Sequence, residues 1–275
     1  MSIASEITRI NNNIASAYSQ CQSKGATMPA TQNSANLANT ISTISGGGGA
    51  DLNDYFNTTI DRVSTAQNFW GVDLIKKVPI LTIASGITSL EYAFFNCGYS
   101  NLSFDGLDCT GITSLRYTFA SSSGYAQNLK NINLANITNT QSINDVRYIF
   151  SQQQKLTTIS NMFSLTGSVD IRSAFASCSN LKRLDLSNWN ISPGGANSAF
   201  SQTKNLAYLD ISNFDFTSNP ANNVFTDCGI NCLQSDGAYA DGIPYVYVKD
   251  TNAQTKILSI APSTWTTNNV VIKSS

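Results

Sequence analysis

The sequence predicts an α/β repeat fold. Short parallel strands and short helical or 3₁₀ segments alternate with a period of about 25 residues, behind a short α-helical N-terminal segment. Three observations predict it. Phenylalanine recurs at Phe69, Phe94, Phe119, Phe150, Phe175, Phe200 and Phe225, every step but one being 25 residues. Between these aromatics runs an L-x-x-L-x-L pattern, as in Leu181, Leu184 and Leu186. Ahead of the array, Ile3, Ile7, Ile10, Ile14, Ala17 and Cys21 are spaced 4, 3, 4, 3, 4. A fixed period of this length predicts a solenoid, each unit burying its apolar edge against the next.

Residues 1–45 read as a helical anchor or oligomerisation segment. Isoleucine at both seam positions, Ile3, Ile7, Ile10 and Ile14, favours trimers or tetramers over dimers, so a homotrimer is expected. The seam is too short for an isolated helix to be more than marginal. Gly25 ends the helix, and the residue before Pro29 is forced into extended backbone. Leu37, Ile41 and Ile44 resume the spacing in a second short helix. The four glycines at 46–49 read as a flexible joint, so residues 46–50 form the linker. The alternative is a helical hairpin that closes on itself.

Residues 51–86 are expected to cap the solenoid, 87–242 to form the repeats and 243–275 to close it. In the repeats, Ile87, Leu90 and Phe94 are spaced for a helical turn. The later leucines alternate with polar residues, the period of a strand with one buried face. The irregular step, from Phe119 to Phe150, is 31 residues, an insertion of six. It is expected near 121–127, where Tyr125 would lie on a surface loop, and such loops often carry recognition.

The motif F-x-x-C-x-x-L-x-x-L-D-L-S-N-W/F resembles the BspA-like leucine-rich repeat, a bacterial surface-protein repeat. The run Leu74-Ile75-Lys76-Lys77-Val78-Pro79 resembles the lead-in to such arrays. Tyr245 to Lys249, Trp265 and Val270 to Lys273 resemble their closing strand–helix–strand. The resemblance covers roughly residues 51–275 and implies a leucine-rich-repeat solenoid. A second one covers residues 1–45. Ser2-Ile3-Ala4-Ser5-Glu6-Ile7-Thr8-Arg9-Ile10, then helix, Gly, Pro, helix and a glycine linker, resembles the attachment segment of tail-fibre and other virion proteins in phages of Gram-positive gut bacteria. It implies that residues 1–45 bind other virion proteins while the distal head points outward.

The composition excludes several classes of function. With no histidine in 275 residues, Ser-His-Asp and Cys-His nucleophilic sites and histidine zinc sites are ruled out. No G-x-x-x-x-G-K-[ST] loop is present. A net charge of −1 without a basic cluster predicts no nucleic-acid partner. No apolar run reaches membrane-span length, and the N-terminus lacks a signal peptide's basic and apolar regions. The protein is therefore expected to be made in a host cytoplasm, to reside in a virion and not to insert into a membrane. Cys97, Cys178 and Cys228 each follow a ladder Phe by three residues. Two repeat steps place equivalent Cα atoms about 10 Å apart, beyond disulfide reach, so buried thiols are expected. Cys228 and Cys232 leave a pair or a metal site open, with packed thiols favoured.

No catalytic residue, metal ligand or cofactor is expected. Asp108, Asp185 and Asp210 would suit glycoside hydrolysis, yet they recur at one repeat position, which the repeat itself explains. The expected outward rows are Gly106, Asp108 and Thr110; Asn131, Asn133 and Ala135; Thr158, Ser160 and Met162; Arg183, Asp185 and Ser187; Tyr208, Asp210 and Ser212. From them Asn131, Asn133, Arg183, Asp185, Tyr208 and Asp210, with Tyr125, are the candidate ligand contacts, Tyr208 as a stacking platform. The expected function is that of a phage tail-fibre or receptor-binding protein that recognises a host-surface glycan or protein. A BspA-like surface adhesin and a capsid-surface head fibre or decoration protein are the alternatives.

Overall fold

A computed structural model describes residues 3–23, 26–34, 36–37, 59–60, 78–96, 100–122, 128–216, 223–233 and 242–273. Tyr125, Phe69, Cys97, the glycine linker and the seam position Ile44 lie outside the described residues. The chain divides into two compact units, Met1–Asn57 and Thr58–Ser275.

The first unit contains helix α1 (Ile3–Ser23), where the isoleucine spacing predicts one. Its two halves differ. Tyr18 and Cys21 are buried, and the Tyr18 hydroxyl donates to the Asn33 carbonyl at 2.8 Å. Ile7 and Ile10, one and two turns into the helix, stay 53% and 46% exposed. Among the described residues, the returning segment contacts the C-terminal part of the helix.

The second unit is a parallel β-solenoid of about seven turns. One face carries β1 (Thr59–Ile60), β2 (Val78–Ile83), β3 (Asn101–Asp108), β4 (Asn131–Asn133) and β6 (Thr158–Ser160), paired in that order. It continues as β8 (Arg183–Asp185), β10 (Tyr208–Asp210), β11 (Tyr245–Val248) and β12 (Val270–Ile272). A second face carries β5 (Ile137–Thr138) beside the end of β3, then β7 (Leu165–Asp170) beside β9 (Trp189–Gly195). All of these pairings are parallel.

The third face departs from expectation. Where short helical segments were predicted around each phenylalanine, the chain makes successive tight turns. The only helix of this unit among the described residues is α2 (Thr251–Ile260), in the closing segment. In the turns, Ala93 donates to Leu90 and Phe95 to Tyr92 within one coil. The intervening amides reach the next coil instead: Tyr92 to Arg116, Phe94 to Thr118, Phe119 to Ile149, Phe150 to Ala174 and Phe175 to Ala199. Left-handed residues make this possible, at Tyr92, Tyr117, Tyr148, Ser173 and Ser198, with φ from 53° to 61°. A helix would have spent those amides internally. The apolar spacing Ile87, Leu90, Phe94 does not distinguish the two.

The core is the phenylalanine ladder. Phe94, Phe119, Phe150, Phe175, Phe200 and Phe225 stack with centroids 5.3–5.9 Å apart. Trp189 stacks on Phe214 and donates its indole N–H to the Phe163 carbonyl at 3.0 Å. Side-chain amides tie coil to coil: Asn180 to Gln154, Asn205 to Ser179 and Asn213 to Ser187, each donating to a backbone carbonyl at 2.6–2.7 Å. The described chain ends in β11, α2 and β12 in that order. Asp250 caps α2 by accepting from Ala253 at 2.8 Å, and Trp265 packs on Phe225 at 5.1 Å.

The six extra residues are split rather than gathered in one loop. From Phe119 to Asn131 is 12 residues against 8 from Phe150 to Thr158, so four lie before β4 and two between β4 and Phe150. The register corrects the first outward row. Asn131 pairs with Asn101, not Gly106, and Asp108 instead faces Thr138 of β5.

Candidate functional site

The repeated aspartates are turn-closing groups. Asp108 Oδ1 accepts from the Thr110 amide and hydroxyl at 2.9 and 2.7 Å. Asp185 repeats this with Ser187 at 3.1 and 2.7 Å, and Asp210 accepts from the Ser212 amide at 3.0 Å. A side chain that bonds two residues on holds the corner at a strand's end. This is why Asp-x-Ser recurs at Asp185 and Asp210, and Asp-x-Thr closes a corner in the same way at Asp108, which stands at a different repeat position. Hydrogen bonds from Asn139 and Thr110 hold the Asp108 carboxyl below its ordinary range.

The repeated cysteine position is likewise structural. The Cys178 thiol donates to the Phe150 carbonyl at 3.1 Å. One coil earlier the equivalent Gln153 donates to Phe119 at 2.7 Å. Cys228 and Cys232 are buried and not joined in a disulfide. Burial pushes the Cys178 and Cys228 thiols up to about 12, so they are not poised as nucleophiles. Among the described residues no cluster of acidic, cysteine or histidine side chains is arranged to hold a metal ion.

The candidate contacts separate into two groups on the strand face. Asn131 and Asn133 are exposed at its earlier part, within an amide ladder. Asn131 donates to Asn101 at 2.7 Å and Asn133 accepts from Asn161 at 2.9 Å. Met162, expected outward, is 8% exposed. It lies past the end of β6, where the chain has turned inward.

Arg183, Asp185, Tyr208 and Asp210 come together at the later part. Register pairs Tyr208 with Arg183 on one side and Tyr245 on the other, and Asp210 with Asp185 and Tyr247. The Arg183 guanidinium lies over the Tyr208 ring, 3.4 Å from its centroid. Tyr208 stands 5.5 Å from Tyr247, and Tyr247 packs edge-on to Tyr245 at 4.9 Å. Asp210 is not outward. Lys273, on the residue after β12, bonds it at 2.6 Å, and the Asp210 side chain has no solvent exposure. Burial pushes its carboxyl up, but Lys273 and Ser212 outweigh that and hold it below the ordinary value. Tyr245, Tyr247 and Lys273 were missed by the outward rows because they belong to the closing segment. Their alternation, Tyr245-Val246-Tyr247-Val248, carries the signal of a strand with one aromatic face.

A second ordered surface lies on the turn face. Tyr92, Tyr117 and Tyr148 stack nearly parallel, centroids 4.9 and 4.5 Å apart. Beside them run Glu91–Arg116, Arg147–Asp145 and Arg172–Asp170 ion pairs at 3.1, 2.7 and 2.5 Å. The signal was in the sequence, since a tyrosine stands two residues before Phe94, Phe119 and Phe150.

Residues 137–231 match the model of a family described as a Mycoplasma protein of unknown function, DUF285. No curated protein and no solved structure matches. The match and the solenoid are compatible with a BspA-like repeat protein.

Proposed function

We propose that this chain is a non-enzymatic attachment protein. Its β-solenoid, of leucine-rich-repeat type, is a head that recognises a glycan or protein on a cell surface, and residues 1–45 assemble several heads. The observation that carries the reading is the cluster of Arg183, Tyr208, Tyr245, Tyr247 and Lys273 on the strand face. A guanidinium stacked on a tyrosine, with further tyrosines and a lysine beside it, offers flat apolar area and hydrogen-bond donors together. Tyrosine and arginine are the residues that dominate binding hot spots. The repeated carboxylates are engaged in turns and ion pairs, which supports binding rather than hydrolysis. The exposed Ile7 and Ile10 support assembly, and a trimer would multiply weak contacts through effective concentration. The resemblance of residues 1–45 to phage attachment segments supports a tail-fibre setting. The DUF285 match favours a second reading, a BspA-like bacterial surface adhesin.

The test joins mass to binding. Light scattering of the full chain beside a chain beginning at Ala50 is expected to give a trimer and a monomer. The full chain is expected to label intact cells, with labelling reduced by Tyr208→Ala. A full-length monomer refutes self-assembly, and labelling unchanged by the substitution refutes the strand-face site. Labelling confined to particle-susceptible bacteria supports the fibre setting over the adhesin.

A further inference from the structure

We propose that the face of Tyr148 turned away from Tyr117 is a stacking site for a neutral hexopyranose, on the turn face and separate from the strand-face cluster. It rests on the reading of the solenoid as a binding module, not on where that module binds. The tyrosine ladder is built one ring per coil and stops abruptly. Tyr92 is covered by Tyr117 and Tyr117 by Tyr148. The next two coils place Ser173 and Ser198 at the same backbone position, in the same left-handed conformation. Among the described residues neither ring nor guanidinium stacks on the far side of Tyr148. The missing rung leaves a shelf one coil deep, and ring spacing along the ladder is 4.5–4.9 Å. A pyranose chair seated there, one C–H face on Tyr148, takes the place of the absent tyrosine.

The surroundings select the class of ring. Arg172 flanks the shelf and uses Nε and Nη2 on Asp170, at 3.0 and 2.5 Å. Among the described residues no acceptor engages its Nη1, whose donors can meet a ligand hydroxyl. Ser173 adds a hydroxyl at the next rung, while the Ser198 hydroxyl one coil further already accepts from Asn223 at 2.9 Å. Three acidic and three basic side chains border the ladder, Glu91, Asp145 and Asp170 against Arg116, Arg147 and Arg172, already paired with one another. An anionic or cationic ligand gains no net attraction there. A neutral sugar does: its C–H face lies on the tyrosine and its hydroxyls meet fixed donors and acceptors.

The experiment is saturation-transfer NMR on the full chain. The probes are methyl glycosides of glucose, galactose, mannose and N-acetylglucosamine, with their β-linked disaccharides. Transfer to the ring protons of at least one probe is expected. Ser173→Tyr extends the ladder into the shelf in a conformation that three tyrosines already adopt, so it blocks the site without unfolding the coil. It is expected to weaken the responding sugar about tenfold, the scale of one aromatic stacking contact. Tyr148→Leu should do the same, and Tyr208→Ala should leave that sugar unaffected. No transfer from any probe, or transfer unchanged by Ser173→Tyr, overturns the site. A response lost in Tyr208→Ala but retained in Ser173→Tyr overturns it while supporting the strand face. Loss in Ser173→Tyr alone supports it, whatever the cell-labelling result.

Discussion

Lys273 closes over Asp210 across 63 residues of sequence, its ammonium 2.6 Å from a carboxylate that has no solvent exposure. The contact bolts the last strand onto the repeats. Removing the lysine leaves a buried charge unpaired, a change that costs about 3 kcal/mol or more at fully buried pairs. Lys273 is itself 41% exposed, so about 2 kcal/mol is expected for Lys273→Met. The pH dependence has a definite sign. In the native chain Asp210 is held below its ordinary value, so its contribution is present above about pH 4 and lost as pH falls through the folded value. Without Lys273, burial is less opposed and the folded value rises. The variant's deficit should then grow between pH 4 and pH 7. Urea melts at both ends of that range decide it, and a deficit independent of pH rules out the pairing.

Phe175 touches Phe150, Phe200 and Trp189, with centroids at 5.6, 5.9 and 5.9 Å. In a solenoid each coil contacts only its neighbours, so stability is nearly a sum of unit and interface terms. Phe175→Ala removes two interfaces at once. A loss of about 3–5 kcal/mol is expected, with melting split into two transitions as the halves uncouple. Circular dichroism and hydrogen exchange would show the split. A single transition at the parent temperature would contradict a continuous aromatic core.

How far the sequence carried the fold can be read from particular residues. The phenylalanine period marks a buried ladder because only identical positions recur at a fixed step. It does not say how the backbone between them bonds, and the turns were read as helical segments for that reason. Asp185 and Asp210 share one repeat position, yet one is exposed and the other sealed. What separates them is Lys273, from the closing segment rather than a repeat. Tyr208 lies in β10 on the strand face, where its repeat position puts it. The three turn-face tyrosines recur two residues before a ladder phenylalanine, but periodicity gives position and not the direction of a left-handed residue, so their stack is not legible from spacing alone.

The asparagine rungs are separable from the aromatic core. Asn205 Nδ2 donates to the Ser179 carbonyl at 2.7 Å, and Asn190 is exposed on β9. Asn205→Ala should cost about 1 kcal/mol, the net worth of such a bond. Asn190→Ala should stay within about 0.5 kcal/mol. Equal effects in chemical denaturation would mean that the amide rungs contribute nothing beyond helping to fix solubility.

Alkali should attack the turn face. Burial, then the neighbouring Tyr148 and Tyr92 rings, raises the Tyr117 hydroxyl above its ordinary value of 10.0. The folded state then holds its proton more tightly than the unfolded chain does. Its contribution is therefore intact below pH 10 and declines as pH rises beyond it. Tyr117→Phe keeps the stack and removes the titration, so its stability should fall less between pH 9 and pH 11. Parallel profiles for variant and parent would exclude a stabilising role for the neutral phenol.

Ile7 and Ile10 are the residues on which the proposed assembly turns. They are half-exposed on a helix whose other end is covered by its own chain, and isoleucine at both seam positions favours three strands or more. Ile7→Asp with Ile10→Asp places charges where a partner helix would bury them. The expected outcome is loss of the trimer in light scattering, with the solenoid's melting temperature unchanged because it is a separate unit. Oligomers of unaltered mass would show that the seam is not the contact. A monomer in the parent chain as well would hand these isoleucines to a partner of different sequence.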